Sequence, residues 1–299
     1  MKRKRTAFVL CISALFLCIS CSSISQRDNS ESTCEPVTAI LGAFEREITL
    51  LEDRLTGRQE HQIERIKFVS GKLHDRNVVV AWTGVGKVNA AMTTTLLIEH
   101  FRPERIIFTG IAGALNPQLR PGDIVIAEKT AHHDMGTIWP EGLFVKGVKN
   151  RLSGMENPVF FQADEKLITC AHRAAEQIDM RRVETVTGQR NPKIIKGVIV
   201  TGDSFIASTE KRAELRKKLQ ADAVEMEGAA VAQICYQRQI DHLIIRSISD
   251  SADEGAVLDK QMFYILAAKN SSDLVAEMIS LLNSKFSIET DGKVKKSED

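Results

Sequence analysis

The sequence predicts an α/β protein with a β-sheet covered by helices, because short β-rich runs alternate with longer helical patterns. Three of the β-rich runs end in or next to glycine, within residues 83–86, 109–113 and 201–202. Glycine at the carboxyl end of a strand lets the backbone approach a ligand closely, and ligands of α/β sheets gather at those ends. We therefore expect one α/β domain with its site at this edge of the sheet.

The predicted strands and helices follow one another along the whole domain. The strands are expected at residues 37–41, 78–83, 105–109, 123–128, 197–201 and 243–247, with a short apolar strand just before Glu227. Helices are expected from Glu45 onward, at residues 88–100, and in the alanine-rich stretch after Glu227. Residues 155–161 and 181–196 are predicted to be surface excursions.

The first residues are typical of an export signal. A positive cluster, MKRKR, precedes an apolar run that ends at Ser20 and is too short to span a membrane comfortably. Ser20 and Cys21 resemble the end of a bacterial lipoprotein signal, in which Cys21 becomes the lipidated N-terminus. We expect residues 1–21 to be a signal peptide and the protein to be exported to the periplasm or cell surface. An ordinary signal peptide and an uncleaved anchor are the alternatives.

Polar segments flank the predicted domain, which we expect to span residues 36–286. Residues 22–35 lack apolar periodicity and predict a flexible tether, and residues 287–299 predict a disordered charged tail. The formal net charge of +1 gives no overall field that would attract nucleic acid, and no nucleic-acid partner is expected.

Three cysteines remain after the predicted signal: Cys34, Cys170 and Cys235. Their wide separation matches neither a metal site nor a disulfide framework, and no metal site is predicted. Cys170 and Cys235 are expected to be small buried residues on helices.

Five acidic residues lie at strand ends or helix starts: Glu45, Glu47, Glu225, Glu227 and Asp250. A carboxylate at the tip of a buried strand is costly unless it is paired, hydrogen-bonded or used in chemistry. Taken alone, Glu45, Glu47 and Glu227 are better explained as first-turn helix residues, and Asp250 as an N-cap. Together they suggest glycoside hydrolysis, in which one acid protonates the leaving group and another activates water.

Eight ordered segments carry a resemblance to a known family. The segments are residues 42–51, 83–88, 109–113, 121–125, 133–134, 201–206, 224–227 and 246–250. In order and spacing they resemble the bacterial 5′-methylthioadenosine/S-adenosylhomocysteine nucleosidases over about residues 36–285. The resemblance implies a three-layer α/β/α fold with a mixed, twisted central sheet of the nucleoside phosphorylase type. It also implies a homodimeric enzyme that hydrolyses 5′-thio-substituted adenosines to release adenine and also accepts 5′-deoxyadenosine as a substrate. Such an enzyme needs no metal or organic cofactor.

The resemblance further implies a role for each matching residue. Asp250, helped by Ser249, protonates N7 of adenine, and Glu47 activates the attacking water. The implied substrate contacts are those with the ribose (Met226 and Glu227), with the purine (Phe205 and Ile206) and with the 5′-alkylthio group (Val85 and Phe263), and Glu225 is expected to be a further substrate-binding residue.

Two features depart from the family pattern. Ile111, expected near the water or the ribose, occupies a place where the family usually has serine, and so loses a polar contact. Residues 135–155 fit poorly where residues of a partner subunit often complete the 5′ pocket. We expect a changed rate or specificity before a loss of activity.

Two other functions are compatible with the same fold. A phosphorylase needs a cationic cradle for phosphate, for which Arg46 and Arg246 are the nearby candidates, whereas a hydrolase needs a carboxylate such as Glu47. An exported surface protein that binds acidic polysaccharide would use basic clusters at residues 211–218 and 181–182.

Overall fold

An eleven-stranded mixed sheet organises the computed structural model, which describes residues 36–185 and 188–282. The strands are β1 (Thr38–Gly42), β2 (Thr56–Ile63), β3 (Ile66–Leu73), β4 (Arg76–Trp82), β5 (Arg105–Phe108), β6 (Ile111–Ala114), β7 (Ile124–His132), β8 (Gly136–Trp139), β9 (Gly142–Val145), β10 (Phe161–Gln162), β11 (Val183–Thr185), β12 (Gly188–Arg190), β13 (Ile194–Thr201), β14 (Ala223–Glu225) and β15 (Asp241–Asp250). The order in the main sheet is β10-β7-β13-β14-β6-β15-β5-β1-β4-β3-β2, and β8–β9 and β11–β12 form separate hairpins.

Six helices connect and cover these strands in the described part of the chain. They are α1 (Glu45–Glu52), α2 (Lys87–Phe101), α3 (Glu165–Gln177), α4 (Thr209–Leu219), α5 (Gly228–Arg238) and α6 (Ala256–Leu281). None of the helices described is long and apolar enough to cross a membrane.

Alternation along the central strands places the helices on both faces of the sheet. In β1, Ile40 packs into a core with α1, α3 and α6, whereas Ala39 and Leu41 pack into a second core with α2 and α5. Successive side chains of a strand point to opposite faces, so a strand buried on both sides needs a continuous apolar run. The three-layer α/β/α arrangement with a mixed central sheet is thus confirmed.

The strand β15 connects the two parts of the sheet. It pairs in parallel with β5 and β6 and antiparallel with β7. An irregularity between Ile248 and Asp250 shifts the register with β6, so that Asp250 lies opposite Gly113. The carboxyl end of β15 therefore brings Asp250 beside the glycine-containing strand β6.

All the strands expected from apolar runs are present, although several are longer than predicted. The structure adds β2 and β3, a hairpin at one edge of the sheet in which the outer strand β2 is polar and mostly exposed, whereas β3 buries Phe68 and Val69. Both expected surface excursions also contribute to the sheet, since β10 begins at Phe161 and β13 begins at Ile194. Apolar periodicity misses the edge strands β2 and β10 because edge pairing buries little side-chain surface, and the first residues of the central strand β13 are only partly buried.

The cysteine prediction is confirmed where the structure describes it. Cys170 on α3 and Cys235 on α5 are both free and buried. Cys34, the predicted signal and tether, and the predicted tail lie outside the described residues.

Candidate active site

A cavity of about 260 Å³ lies at the carboxyl ends of the central strands. Its lining residues are Phe44, Val85, Ile111, Ala112, Gly113, Phe205, Val224, Glu225, Met226, Glu227, Ser249 and Asp250. Eight of the eleven predicted site residues are among them. The volume is close to the lower end of the about 300–1,000 Å³ found for small-molecule sites, which suits a nucleoside-sized ligand.

Glu47 is not among these lining residues but lies beside two of them, Phe44 and Ile111, and is fully buried on the first turn of α1. Its Oε2 accepts hydrogen bonds from the backbone N–H groups of Ala43 at 2.7 Å and Phe44 at 3.0 Å. Its Oε1 is buried and accepts no hydrogen bond within the described part of the chain. A side chain at Gly110 would place a Cβ 3.0 Å from that oxygen, so the carboxylate requires a glycine there.

The surroundings of Glu47 favour its action as a base. Burial raises the pKa of Glu47, against the opposing effects of the Arg246 charge and the nearby N–H dipoles of Phe44, Ala43 and Ile111. A carboxylate with a raised pKa is a stronger proton acceptor than an exposed glutamate, and the N–H groups keep it in one orientation.

Asp250, at the end of β15, is the second buried carboxyl group of the cavity. Its Oδ2 accepts a hydrogen bond of 2.8 Å from the Ser249 hydroxyl, and its Oδ1 accepts one of 2.9 Å from the backbone N–H of Ala252. A Cβ added at Gly113 would lie 2.7 Å from Oδ1. The predicted pair of Ser249 and Asp250 is therefore held in a fixed orientation beside a glycine that leaves room for it.

Glu225 is held by protein donors at both of its oxygens. Its Oε2 accepts from Arg246 Nη2 at 2.6 Å and from the N–H groups of Gly228 at 2.7 Å and Glu227 at 3.1 Å. Its Oε1 accepts from the Thr201 hydroxyl, which in turn accepts from an N–H group of α5. Glu225 borders the cavity, but its carboxylate fixes the start of α5; direct contact with a substrate stays a prediction.

Glu227 is a further buried carboxyl group that lines the cavity. Its Oε1 accepts a hydrogen bond of 2.8 Å from the N–H of Gly86, in the loop that follows β4. Burial and then the charge of Glu225 raise the pKa of Glu227 to about 8, with Arg246 and the Gly86 N–H opposing. A protonated Glu227 offers a donor and an acceptor at one position, which suits a pair of neighbouring hydroxyl groups.

Arg246, considered above as a phosphate ligand, is a buried structural residue. Only 1% of it is exposed; it pairs with Glu225, donates to the carbonyls of Phe108 at 3.2 Å and Ile245 at 3.1 Å, and lies 4.1 Å from the Phe108 ring centroid. Arg46 is exposed on α1. The sequence contains a signal for this role, since an arginine inside an apolar strand requires a buried partner.

The remaining predicted residues occupy different surroundings. Val85 and Phe205 are 41% and 42% exposed at the mouth of the cavity. Ile206 packs against a third apolar cluster that includes α4, and Phe263 is half-buried on α6. Neither Ile206 nor Phe263 is among the lining residues of the cavity described above, and their purine and 5′-group contacts stay predictions.

Across residues 36–185 and 188–282, no group of three or more His, Cys, Asp and Glu side chains is arranged to hold a metal ion. The polar groups that the cavity offers are carboxyl and hydroxyl groups together with backbone N–H groups. Such a set can bind hydroxyl groups and transfer protons.

Comparisons with known proteins show the family to which the chain belongs. Residues 37–280 match the family described as the phosphorylase superfamily. A 5′-methylthioadenosine/S-adenosylhomocysteine nucleosidase of Staphylococcus haemolyticus is 38% identical over 245 residues, which cover 81% of this chain and 99% of that protein. The crystal structure of the nucleosidase from Neisseria meningitidis in complex with methylthio-immucillin-A has a TM-score of 0.71 at 36% identity, covering 82% of this chain and 99% of that one.

A further solved structure with a similar fold is that of a different hydrolase. The native structure of futalosine hydrolase of Helicobacter pylori has a TM-score of 0.70 at 29% identity, covering 83% of this chain and 98% of that one. By fold, site and sequence, the chain belongs to the phosphorylase superfamily and, within it, to the 5′-methylthioadenosine/S-adenosylhomocysteine nucleosidases.

Proposed function

We propose that the chain is an N-glycosidase that hydrolyses 5′-methylthioadenosine and S-adenosylhomocysteine, releasing adenine and a 5-substituted ribose. The observation that carries this proposal is the pair of buried carboxyl groups, Glu47 beside Gly110 and Asp250 beside Gly113. The two glycines are three residues apart on an extended chain, so about 10 Å separates these points. Hydrolysis of a glycosidic bond needs an acid and a base with the sugar and a water between them.

In the proposed reaction Glu47 removes a proton from water as the oxygen forms a bond with C1′ of the ribose. The bond between C1′ and N9 breaks, its electron pair goes to the purine, and Asp250 delivers a proton to N7, so that adenine leaves neutral. The Ser249 hydroxyl holds Asp250 in position. Glu227 binds the 2′- and 3′-hydroxyls, and nearby carboxylates stabilise the positive charge that develops on the sugar.

The arrangement of charges favours water over phosphate as the nucleophile. The guanidinium of Arg246 is engaged by Glu225 inside the protein, and Arg46 is exposed at the surface. The nearby wall formed by Ile111, Ala112 and Gly113 contains no cationic side chain. A phosphate placed beside the buried Glu47 would thus meet a like charge without a guanidinium to balance it.

Adenine release tests the proposed reaction and separates it from the alternatives. The purified chain is incubated with 5′-methylthioadenosine, S-adenosylhomocysteine, 5′-deoxyadenosine or futalosine, in phosphate-free buffer and again with phosphate, and the freed purine is identified by chromatography, because futalosine would yield hypoxanthine in place of adenine. Adenine released from the first two substrates without phosphate is the expected result, and we propose that 5′-deoxyadenosine is cleaved as well. Release that requires phosphate would assign a phosphorylase, and cleavage of futalosine alone would change the substrate.

We also propose that the protein is exported and anchored through a lipid on Cys21. The support is the N-terminal sequence: a positive cluster, a short apolar run and a small residue before cysteine. Incorporation of labelled palmitate that is lost in a Cys21→Ala variant is the expected result. Recovery of the unlabelled, intact chain from the cytoplasm would contradict both parts of the proposal.

Two further proposals concern binding partners. A homodimer is proposed from the family resemblance, and a molar mass equal to that of the monomer, measured by light scattering, would refute it. Binding of acidic polysaccharide has weaker support because four of the five cations of α4 are paired with carboxylates: Lys211 and Lys218 with Glu214, Arg212 with Asp253, and Arg216 with Asp222. Salt-sensitive retention on heparin that disappears when these cations are neutralised would revive it.

A further inference from the structure

Lys87, the first residue of α2, makes an ion-pair cluster with two aspartates outside the cavity. Its Nζ lies 2.6 Å from Oδ1 of Asp134, which follows β7, and 3.8 Å from Oδ2 of Asp203, which follows β13. The side chains of Lys87, Asp134 and Asp203 are 19%, 31% and 47% exposed. We call these three residues the Lys87 clasp.

Backbone groups complete the clasp. The N–H of Lys87 donates to Oδ1 of Asp203 at 2.8 Å, and the N–H of Asp203 donates to Oδ2 of Asp134 at 3.0 Å. The N-cap position of α2 is Gly86, which has no side chain to cap the helix, so Asp203 performs this role from 116 residues away. A Cβ at Gly86 would lie 3.2 Å from the Asp203 carboxylate, and the φ of 94° there also favours glycine.

The surroundings of Asp134 favour its charged form. Partial burial disfavours that form, but the Lys87 ammonium and the N–H of Asp203 outweigh it and hold the pKa of Asp134 below its ordinary value.

The clasp connects two loops that border the cavity. The loop just before Lys87 carries Val85, a lining residue, and Gly86, whose N–H donates to Glu227. Asp203 is two residues before Phe205, another lining residue. The clasp thus ties the loop after β4, which contacts Glu227, to the loop after β13, which carries Phe205.

We propose that the Lys87 clasp is a positioning device for nucleoside binding, and that Lys87 acts on the substrate only through the loop that precedes it. This inference rests on the proposed nucleosidase function. The clasp fixes the Gly86 N–H on Glu227 and Val85 at the mouth, and so orders the loop before the nucleoside arrives. A loop that is ordered in advance binds the substrate and the transition state alike, so its loss raises KM and leaves kcat nearly unchanged.

The test compares Lys87→Met, which keeps the length of the side chain and removes its charge, with Lys87→Arg, which restores a charge. Lys87→Met is expected to raise KM for 5′-methylthioadenosine by about tenfold with kcat within about threefold of wild type, and Lys87→Arg to recover most of the loss. The inhibition constant of free adenine, which has no ribose, should stay within about twofold. Asp134→Asn, which still accepts the Asp203 N–H, should repeat the rise in KM if Lys87→Met does not fold.

Lys196→Met is the matched control, because Lys196 makes a comparable ion pair with Glu165, 3.3 Å away, near the start of β13. An unchanged KM in folded Lys87→Met or Asp134→Asn would overturn the proposal. An equal weakening of adenine binding would also overturn it, since that result indicates general loosening of the site. Failure of the nucleosidase function itself is distinguishable, because the wild-type chain would then release no adenine.

Discussion

The Arg246→Met substitution tests how much the site depends on one buried cation. Methionine retains much of the apolar volume of arginine but removes the 2.6 Å pair with Glu225 and the hydrogen bonds to the carbonyls of Phe108 and Ile245. Both members of the pair are almost inaccessible, with side-chain exposures of 1% and 2%. The Glu225 carboxylate would therefore remain buried without a compensating charge.

The loss of stability follows from this burial. Removing one partner of a buried ion pair costs about 3–5 kcal/mol, because the other charge can neither return to water nor find a new partner. A domain of this size loses about 2–4 °C of Tm per kcal/mol, so we expect the Tm to fall by roughly 6–20 °C.

The pH dependence of activity should change as well. Arg246 lowers the pKa of both Glu47 and Glu227, so removing it raises both values. Glu47 must be deprotonated to accept a proton from water, and the acidic limb of the kcat/KM profile should therefore move to higher pH. At pH values above 4.5, the ordinary pKa of a glutamate, the folded variant would bind more protons than its unfolded chain. The loss of stability in Arg246→Met should consequently grow as the pH rises from 4.5 through the raised pKa values of Glu47 and Glu227.

The assay is urea unfolding at several pH values together with adenine release across the same pH range. Arg238→Met is the control, because Arg238 pairs with Glu99 at the surface, where loss of an ion pair costs less than about 1 kcal/mol. If Arg246→Met and Arg238→Met lost the same stability and Arg246→Met kept the wild-type acidic limb, the reasoning about the buried network would be wrong.

Three further substitutions address the reacting groups. Asp250→Asn should lower kcat by at least about 100-fold and leave the Kd of a nucleoside analogue, measured by calorimetry, nearly unchanged, because the lost proton matters in the transition state; weak binding with normal turnover would refute its role. Gly113→Ala places a Cβ 2.7 Å from Asp250 Oδ1, so it should cost about 1–3 kcal/mol in urea unfolding and lower kcat; an unperturbed enzyme would contradict this fit. Ile111→Ser introduces a hydroxyl group at a residue whose backbone N–H faces Glu47, and should lower the pKa of Glu47. The acidic limb of the kcat/KM profile should then move to lower pH, whereas Arg246→Met moves it to higher pH. An unchanged profile would show that the Ile111 side chain does not contribute to the dry environment of Glu47.

The layered fold could be predicted from the sequence because its central strands are buried on both faces. Consecutive apolar side chains, as in Val78 to Ala81, are typical of a strand that is buried on both faces, and glycines mark where such strands end. The β2–β3 hairpin could not be found in this way, since its outer strand is mostly exposed and polar. Its identity as a strand depends on pairing with β3, which is a property of the assembled sheet.

The same distinction applies to the site. Sequence reasoning singled out Glu47, Glu227 and Asp250 as members of a set of carboxylates at strand ends and helix starts, and the family resemblance implied a role for each. It did not identify Arg246 as the partner of Glu225, or Lys87 as the partner of Asp134, since these pairs are 21 and 47 residues apart. Long-range ion pairs become visible only when the sheet order brings their strands together.

The late position of β15 in the chain determines when the enzyme can first become active. Synthesis proceeds from the N-terminus, so Glu47 emerges from the ribosome some 200 residues ahead of Asp250. The strand that carries Asp250 is also the one that pairs with β5, β6 and β7. A nascent chain therefore has neither its acid nor a closed sheet until nearly the whole domain has been made.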